Sequence, residues 1–266
     1  MSLTDYLKAG TFIRYEQMRE MMNKKPLSEV SPEQKQLLSE LKQNGVIVLP
    51  NYYTEDRCNE IITHIDKMID DDSINVQYDG VKSDARVFAS HRYSETIKEF
   101  HTDPFLRQVG EAYSGCELIN SHTLGAKLTA QKNNLGSGGG WHRDSVYQTQ
   151  YKSIVYLTDV DEDHGPFEYI LGSHDKESVL KSIKENGFSA HHNRFTEEEI
   201  EAFLKSNPNY SSKVFTAKKG SVILVDTCGV HRGTPIATGN RYALTNYYFL
   251  KHQYNKKAKE KFEKLF

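Results

Sequence analysis

The chain has 266 residues, and its 34 lysines and arginines nearly balance 36 aspartates and glutamates, leaving a net charge of −2. No basic field favours nucleic acid and no apolar run is long enough to span a bilayer, so neither partner is expected. The opening MSLTDYLKAG lacks the pattern of a secretory signal, and three cysteines (Cys58, Cys116, Cys228) without a CxxC spacing argue against a disulfide framework. The expectation is a reduced, soluble, cytoplasmic protein whose 16 tyrosines and 12 phenylalanines supply an aromatic-rich core.

Nothing in the chain marks a linker or repeat, so residues 1–266 read as a single domain, with 1–45 as a helical N-terminal extension. Ser31-Pro32-Glu33-Gln34 is a capping box with proline at the first helical position. The helix it opens carries Leu37, Leu38 and Leu41 on one face and stops at Asn44-Gly45. A strand over 46–49 follows. Thr54 then caps a helix with Glu55 and Asp56 in its first turn and Cys58, Ile61, Ile62, Ile65, Met68 and Ile69 at helical spacing.

From about residue 85 the texture becomes β-like, in short runs at 86–89, 124–130, 153–157, 167–171, 213–216, 221–225 and 242–249. Turn signals such as Asp163-His164-Gly165-Pro166 and Lys219-Gly220 separate them. Short strands without βαβ alternation predict a mainly β fold with flanking helices, an antiparallel sandwich or jelly roll. Residues 175–212 interrupt it with a charged, helix-like insert bearing a second capping box at Thr196 and Glu199, a candidate lid. The tail over 256–264 reads as an amphipathic helix.

His-x-Asp occurs at His64/Asp66, His101/Asp103 and His142/Asp144. The first pair lies inside a predicted helix, where residues two apart diverge. In the second, Asp103 precedes a proline and reads as a helix cap. His142 and Asp144 follow the glycine cluster at 136–140, and in extended backbone positions i and i+2 share a face. His231, after the apolar run at 221–225, is the best third ligand. Two imidazoles and one carboxylate suit a non-haem Fe(II) centre with three open positions, while Zn(II) with a bound water is also compatible. Arg241, at the start of the last strand, offers a fork for a remote carboxylate. His142-Arg143-Asp144 also mimics a kinase catalytic loop, but position 149 holds Thr where a kinase needs Asn.

Trp141-His142-Arg143-Asp144, Asp159 through Phe167, Gly172-Ser173-His174, Gly220-Ser221-Val222-Ile223-Leu224 and His231 followed by Arg241 resemble, in order and spacing, the phytanoyl-CoA dioxygenase family. The resemblance spans about residues 45–250. It implies a double-stranded β-helix of jelly-roll, cupin-like form. Iron, as Fe(2+), would be held by His142, Asp144 and His231, and Arg241 would pair with the distal carboxylate of 2-oxoglutarate. With O2 as the other cosubstrate, the products would be succinate, carbon dioxide and an oxidised, generally hydroxylated, small molecule. Retention of Asp144 separates the chain from related halogenases and fits hydroxylation, desaturation or cyclisation. Ala243 stands where some relatives carry a hydroxyl, so Thr227 or Tyr147 would complete the carboxylate site, and Lys132 or Gln131 would approach the C1 carboxylate. Arg86, His91, Arg92, His191, His192 and Arg194 could present charge to an anionic substrate. The rivals are a zinc-dependent hydrolase on the same triad and a non-catalytic cupin-like binding protein. Oligomeric state is not legible.

Overall fold

In chain order the elements are α1 (Leu3–Met22), α2 (Pro32–Asn44), β1 (Val46–Leu49), α3 (Glu55–Ile69), β2 (Val76–Tyr78), β3 (Asp84–Val87), α4 (Glu95–His101), α5 (Pro104–Ser114), β4 (Leu118–Thr129), β5 (Tyr151–Tyr156), β6 (Phe167–Leu171), α6 (Lys176–Asn186), α7 (Glu197–Ser206), β7 (Ser211–Phe215), β8 (Val222–Asp226), β9 (His231–Gly233) and β10 (Asn240–Leu250). This computed structural model describes residues 3–26, 31–254, 259–260 and 263–264, so most of the predicted tail helix lies outside the described residues.

Both capping boxes form as expected. Ser31 accepts from the Gln34 N–H, Thr196 accepts from the Glu199 N–H, and each N3 side chain reaches back to its cap. The left-handed Gly45 ends α2 and leads directly into β1. Asp103 caps α5 by accepting from the Phe105 and Leu106 N–H groups, the role its place before Pro104 predicted.

The strands form two antiparallel sheets, β1-β8-β5-β10-β4-β3-β2 and β7-β6-β9, the double-stranded β-helix that the resemblance implied. Strand periodicity sorts the side chains between two layers. On β8, Val222 and Leu224 face the helical layer of α2, α3, α4 and α5, while Ile223 and Val225 face the second sheet. On β10, Tyr242, Leu244 and Tyr248 join the helical layer, and Arg241, Ala243, Thr245 and Tyr247 face the space between the sheets. β5 behaves alike: Tyr151 and Val155 go to the helices, Lys152, Ile154 and Tyr156 to the interior. One cluster thus fastens the helices onto the large sheet, and the gap between sheets closes with aromatics at one end and stays hollow at the other.

Candidate metal centre

The hollow end is a cavity of about 220 Å³. His142 and His231 meet there because their backbones form a direct antiparallel pair, each N–H donating to the other's carbonyl at 2.9 Å. Residues directly opposite in such a pair project from the same face. Asp144, two residues on, returns to that face, with its N–H held by the Thr227 carbonyl at 3.0 Å. The segment is extended at His142 but bends at Asp144, and regular strand resumes only at Tyr151; short as it is, it extends the small sheet beyond β9. His231, expected at a strand mouth, is the first residue of β9.

The ligand atoms of His142, Asp144 and His231 all lie within 4.8 Å of one another, the one such His/Cys/Asp/Glu group among the described residues. Each imidazole Nε2 is 3.8 Å from an Asp144 carboxylate oxygen. The donor set fits a divalent transition metal. The Nδ1 atoms donate to backbone carbonyls, His142 to Gly140 and His231 to Gly229, both at 2.9 Å. A carbonyl can only accept, so the neutral rings carry their lone pairs on Nε2, aimed at the common point. Burial holds both imidazoles below their usual range, His231 at about 3, and so keeps them unprotonated and able to ligate. Burial alone would raise Asp144, but Lys152 and the two imidazoles together hold it well below the usual carboxylate range. The glycine cluster makes room for the ring: a Cβ on Gly138 would stand 2.4 Å from His142 Cε1. The other two His-x-Asp pairs are used elsewhere. Asp66 bonds Lys127 and Tyr242, and the His101 ring stacks on His91 at 3.8 Å.

Arg241 lines the same cavity while 7 % exposed. One of its terminal nitrogens donates to the Gly165 carbonyl, and its Nε is buried without a partner. Its guanidinium lies 6.0 Å over the Tyr156 ring. A buried guanidinium with an unmet N–H keeps the capacity for a further acceptor.

The remaining expected residues divide. Thr227 lines the cavity, although its hydroxyl donates to the Gln150 carbonyl at 2.9 Å. Gln131, Lys132 and Tyr147 do not line it. β4 ends at Thr129, which leaves Gln131 and Lys132 exposed in the following turn. Tyr147 turns away onto Phe12 of α1, with its hydroxyl on the Ala190 carbonyl. Of the cationic and imidazole set, Arg86 and Arg194 reach the cavity; His191 packs on Phe12 and His192 on Phe188.

Sequence reasoning missed Lys152. Buried in β5, it sits 2.6 Å from Asp144 Oδ2 and 4.0 Å over the ring of Tyr247, its cross-strand partner on β10. Burial works against the charge on this lysine, but Asp144 and Tyr247 together outweigh it and hold the amine above its usual range. A lone lysine within Tyr151-Lys152-Ser153-Ile154-Val155-Tyr156 was the available signal, since lysine is rarely buried without a partner.

The insert is bound into the site. On the edge of the His142 segment away from β9, Arg143 N–H donates to Asn193 and Phe195 N–H to Trp141, at 2.9 and 3.0 Å, placing Arg194 directly opposite His142. Arg194 also donates to the Gly138 carbonyl at 2.7 Å. Trp141 is buried, with Nε1 on Glu197 of α7. His174 bonds the Lys42 carbonyl, a structural use of the Gly-Ser-His turn.

Residues 41–243 match the model of the phytanoyl-CoA dioxygenase family. The chain belongs to that family. It is therefore an Fe(II)- and 2-oxoglutarate-dependent oxygenase, with O2 as cosubstrate, which sets aside the zinc hydrolase and the non-catalytic binding module. The epimerase SnoN, in complex with Fe3+, alpha ketoglutarate and nogalamycin RO, is 16% identical with a TM-score of 0.62, over 82% of this chain and 83% of that one. HygX from Streptomyces hygroscopicus, with nickel, 2-oxoglutarate and hygromycin B bound, gives 17% and 0.57 over 84% and 88%. EctD from S. alaskensis with bound Fe gives 17% and 0.60 over 82% and 76%. At these identities the likeness is one of fold. No curated protein matches the chain. No described helix is long and apolar enough to cross a membrane.

Proposed function

We propose that His142, Asp144 and His231 hold Fe(II), that Arg241 receives the distal carboxylate of 2-oxoglutarate, and that the enzyme hydroxylates an unactivated C–H bond of a small anionic molecule. The observation that carries the reading is the shared face: three metal ligands and an under-bonded buried arginine open onto one cavity. Iron with its two cosubstrates supplies the oxidising chemistry, consuming 2-oxoglutarate and dioxygen to succinate and carbon dioxide. The protein's own residues do the arranging. The Gly140 and Gly229 carbonyls fix the imidazole tautomers, and Lys152 holds Asp144 Oδ2, the oxygen on the His231 side, leaving Oδ1 toward His142. Leu124, Ala126, Ile154 and Phe167 keep much of the wall apolar, so ionic contacts inside act at reduced dielectric.

Charge supports an anionic substrate. The cavity is lined by Arg86, Lys152, Arg194 and Arg241 against the single carboxylate of Asp144. Arg86 is paired to Asp84 behind it, with Nε at 2.9 Å. Arg194 touches only backbone carbonyls among its hydrogen-bond partners, so its charge remains available at the cavity rim. The reading is tested by aerobic turnover: succinate should form only with added Fe(II) and 2-oxoglutarate. Arg241→Ala should raise the 2-oxoglutarate concentration needed at least about 30-fold, the equivalent of losing roughly 2 kcal/mol of charge-assisted contact. Unchanged cosubstrate affinity in that variant would remove Arg241 from the site.

A further inference from the structure

Behind the cavity wall, Cys228 and Lys176 form a pair that the oxygenase chemistry does not use. Cys228 is fully buried, and Lys176, the first residue of α6, points its amine inward at it. Lys176 Nζ stands 2.9 Å from Cys228 Sγ. That is the range of an N–H···O bond, about 2.7–3.2 Å, although sulfur is the larger atom and ordinarily holds a donor further off. The carboxylates that act on Lys176 at longer range are committed elsewhere. Asp226 accepts from the Tyr113 hydroxyl and from the Gln150 and Cys228 N–H groups, and Glu20 accepts from Thr149. A buried amine is thus aimed at a buried thiol, with no carboxylate bonded to either. Thr227, the preceding residue, lines the cavity, so one residue of wall separates the sulfur from the space that dioxygen must enter.

We propose that Lys176 and Cys228 are a modification site, joined by oxidation into a covalent nitrogen–oxygen–sulfur bridge. The separation suits it, because a single oxygen fits between the two atoms with little movement of either backbone. The oxidant is dioxygen. The amine, having shed its ammonium proton, and the thiol react with one O2 to give Lys–NH–O–S–Cys and one water. The new bonds are N–O and O–S; one N–H, the S–H and the O–O bond are lost. Nitrogen and sulfur each give up two electrons, and the four reduce one oxygen atom into the bridge and the other to water. Two equivalents of a dithiol, each oxidised to its disulfide, return four electrons and four protons, restoring lysine, cysteine and a second water. The bridge would tie the first turn of the insert to the segment leading into His231.

Peptide mapping of the air-exposed full-length enzyme tests this without any variant. The expected product is a Lys176 peptide joined to a Cys228 peptide, heavier than the two together by one oxygen less two hydrogens. Dithiothreitol should return both unmodified, and Lys176→Met and Cys228→Ser should each abolish the joined species. A Cys228 that stays fully alkylatable after denaturation of the air-exposed protein overturns the proposal, as does a joined mass lacking the oxygen.

Discussion

Lys152 shows most clearly what a single side chain contributes here. Its ammonium occupies one oxygen of Asp144 at 2.6 Å, while the Tyr247 ring covers it from β10. Partners of this kind set the orientation of metal ligands, and removing one typically lowers metal affinity by about 10–100-fold. Lys152→Met keeps the length and loses the charge. Titration with Fe(II), or with Ni(II) as a redox-inert probe, should show a loss of affinity in that range while the far-ultraviolet dichroism stays unchanged. Wild-type affinity in the variant would mean that the bond to Asp144 has no bearing on the metal. The triad itself was legible in the sequence because each ligand lies beside a turn signal or an apolar run. Lys152 was not, because its meaning depends on the register that sets it beside Tyr247 and under Asp144.

At the scale of elements, the site is assembled by strand pairing. His231, His142 and Arg194 stand in one row across three adjoining extended segments, the last supplied by the insert. Charge and helix signals alone made that insert read as a candidate lid over 175–212; they could not show that residues 193–195 pair with the metal-binding segment. β2 and β9, three residues each, are too short for a period-two pattern to appear, whereas β1 and β6 were legible in full. The glycine cluster before His142 has a steric purpose that can be tested. Gly138 has φ +90°, and an added Cβ would press on the His142 ring. Gly138→Ala should therefore weaken metal binding by at least about 10-fold with the fold retained. Equal metal affinity in wild type and variant would show that the ring has room to spare.

For the molecule as a whole, the helical layer was the easiest part to anticipate, since its caps and apolar spacing are local. The price of its burial is a set of histidines held neutral. Burial pushes His91 down to about 3, with the His101 ring beside it adding to the effect, and pushes His101 to about 4 and His122 to about 3. Their ordinary value is 6.5, so below that pH the unfolded chain takes up protons that the folded one refuses. Stability is thus fully present above about pH 6.5 and falls as the pH drops toward 4. The thermal midpoint should decline steadily over that window, and replacing His91 and His101 together by glutamine should flatten the decline. A midpoint independent of pH there would mean that these rings are not held neutral by the fold.

The central claim is that His142, Asp144 and His231 hold a ferrous ion with enough of its coordination sphere open for 2-oxoglutarate to chelate it. Anaerobic addition of Fe(II) and 2-oxoglutarate tests it directly, because a chelating 2-oxo acid on ferrous iron gives a visible charge-transfer absorption. The band should appear with the wild-type protein at one iron per chain and vanish in Asp144→Ala and His231→Ala. No band in the wild type, or an undiminished band in both variants, would contradict the assignment.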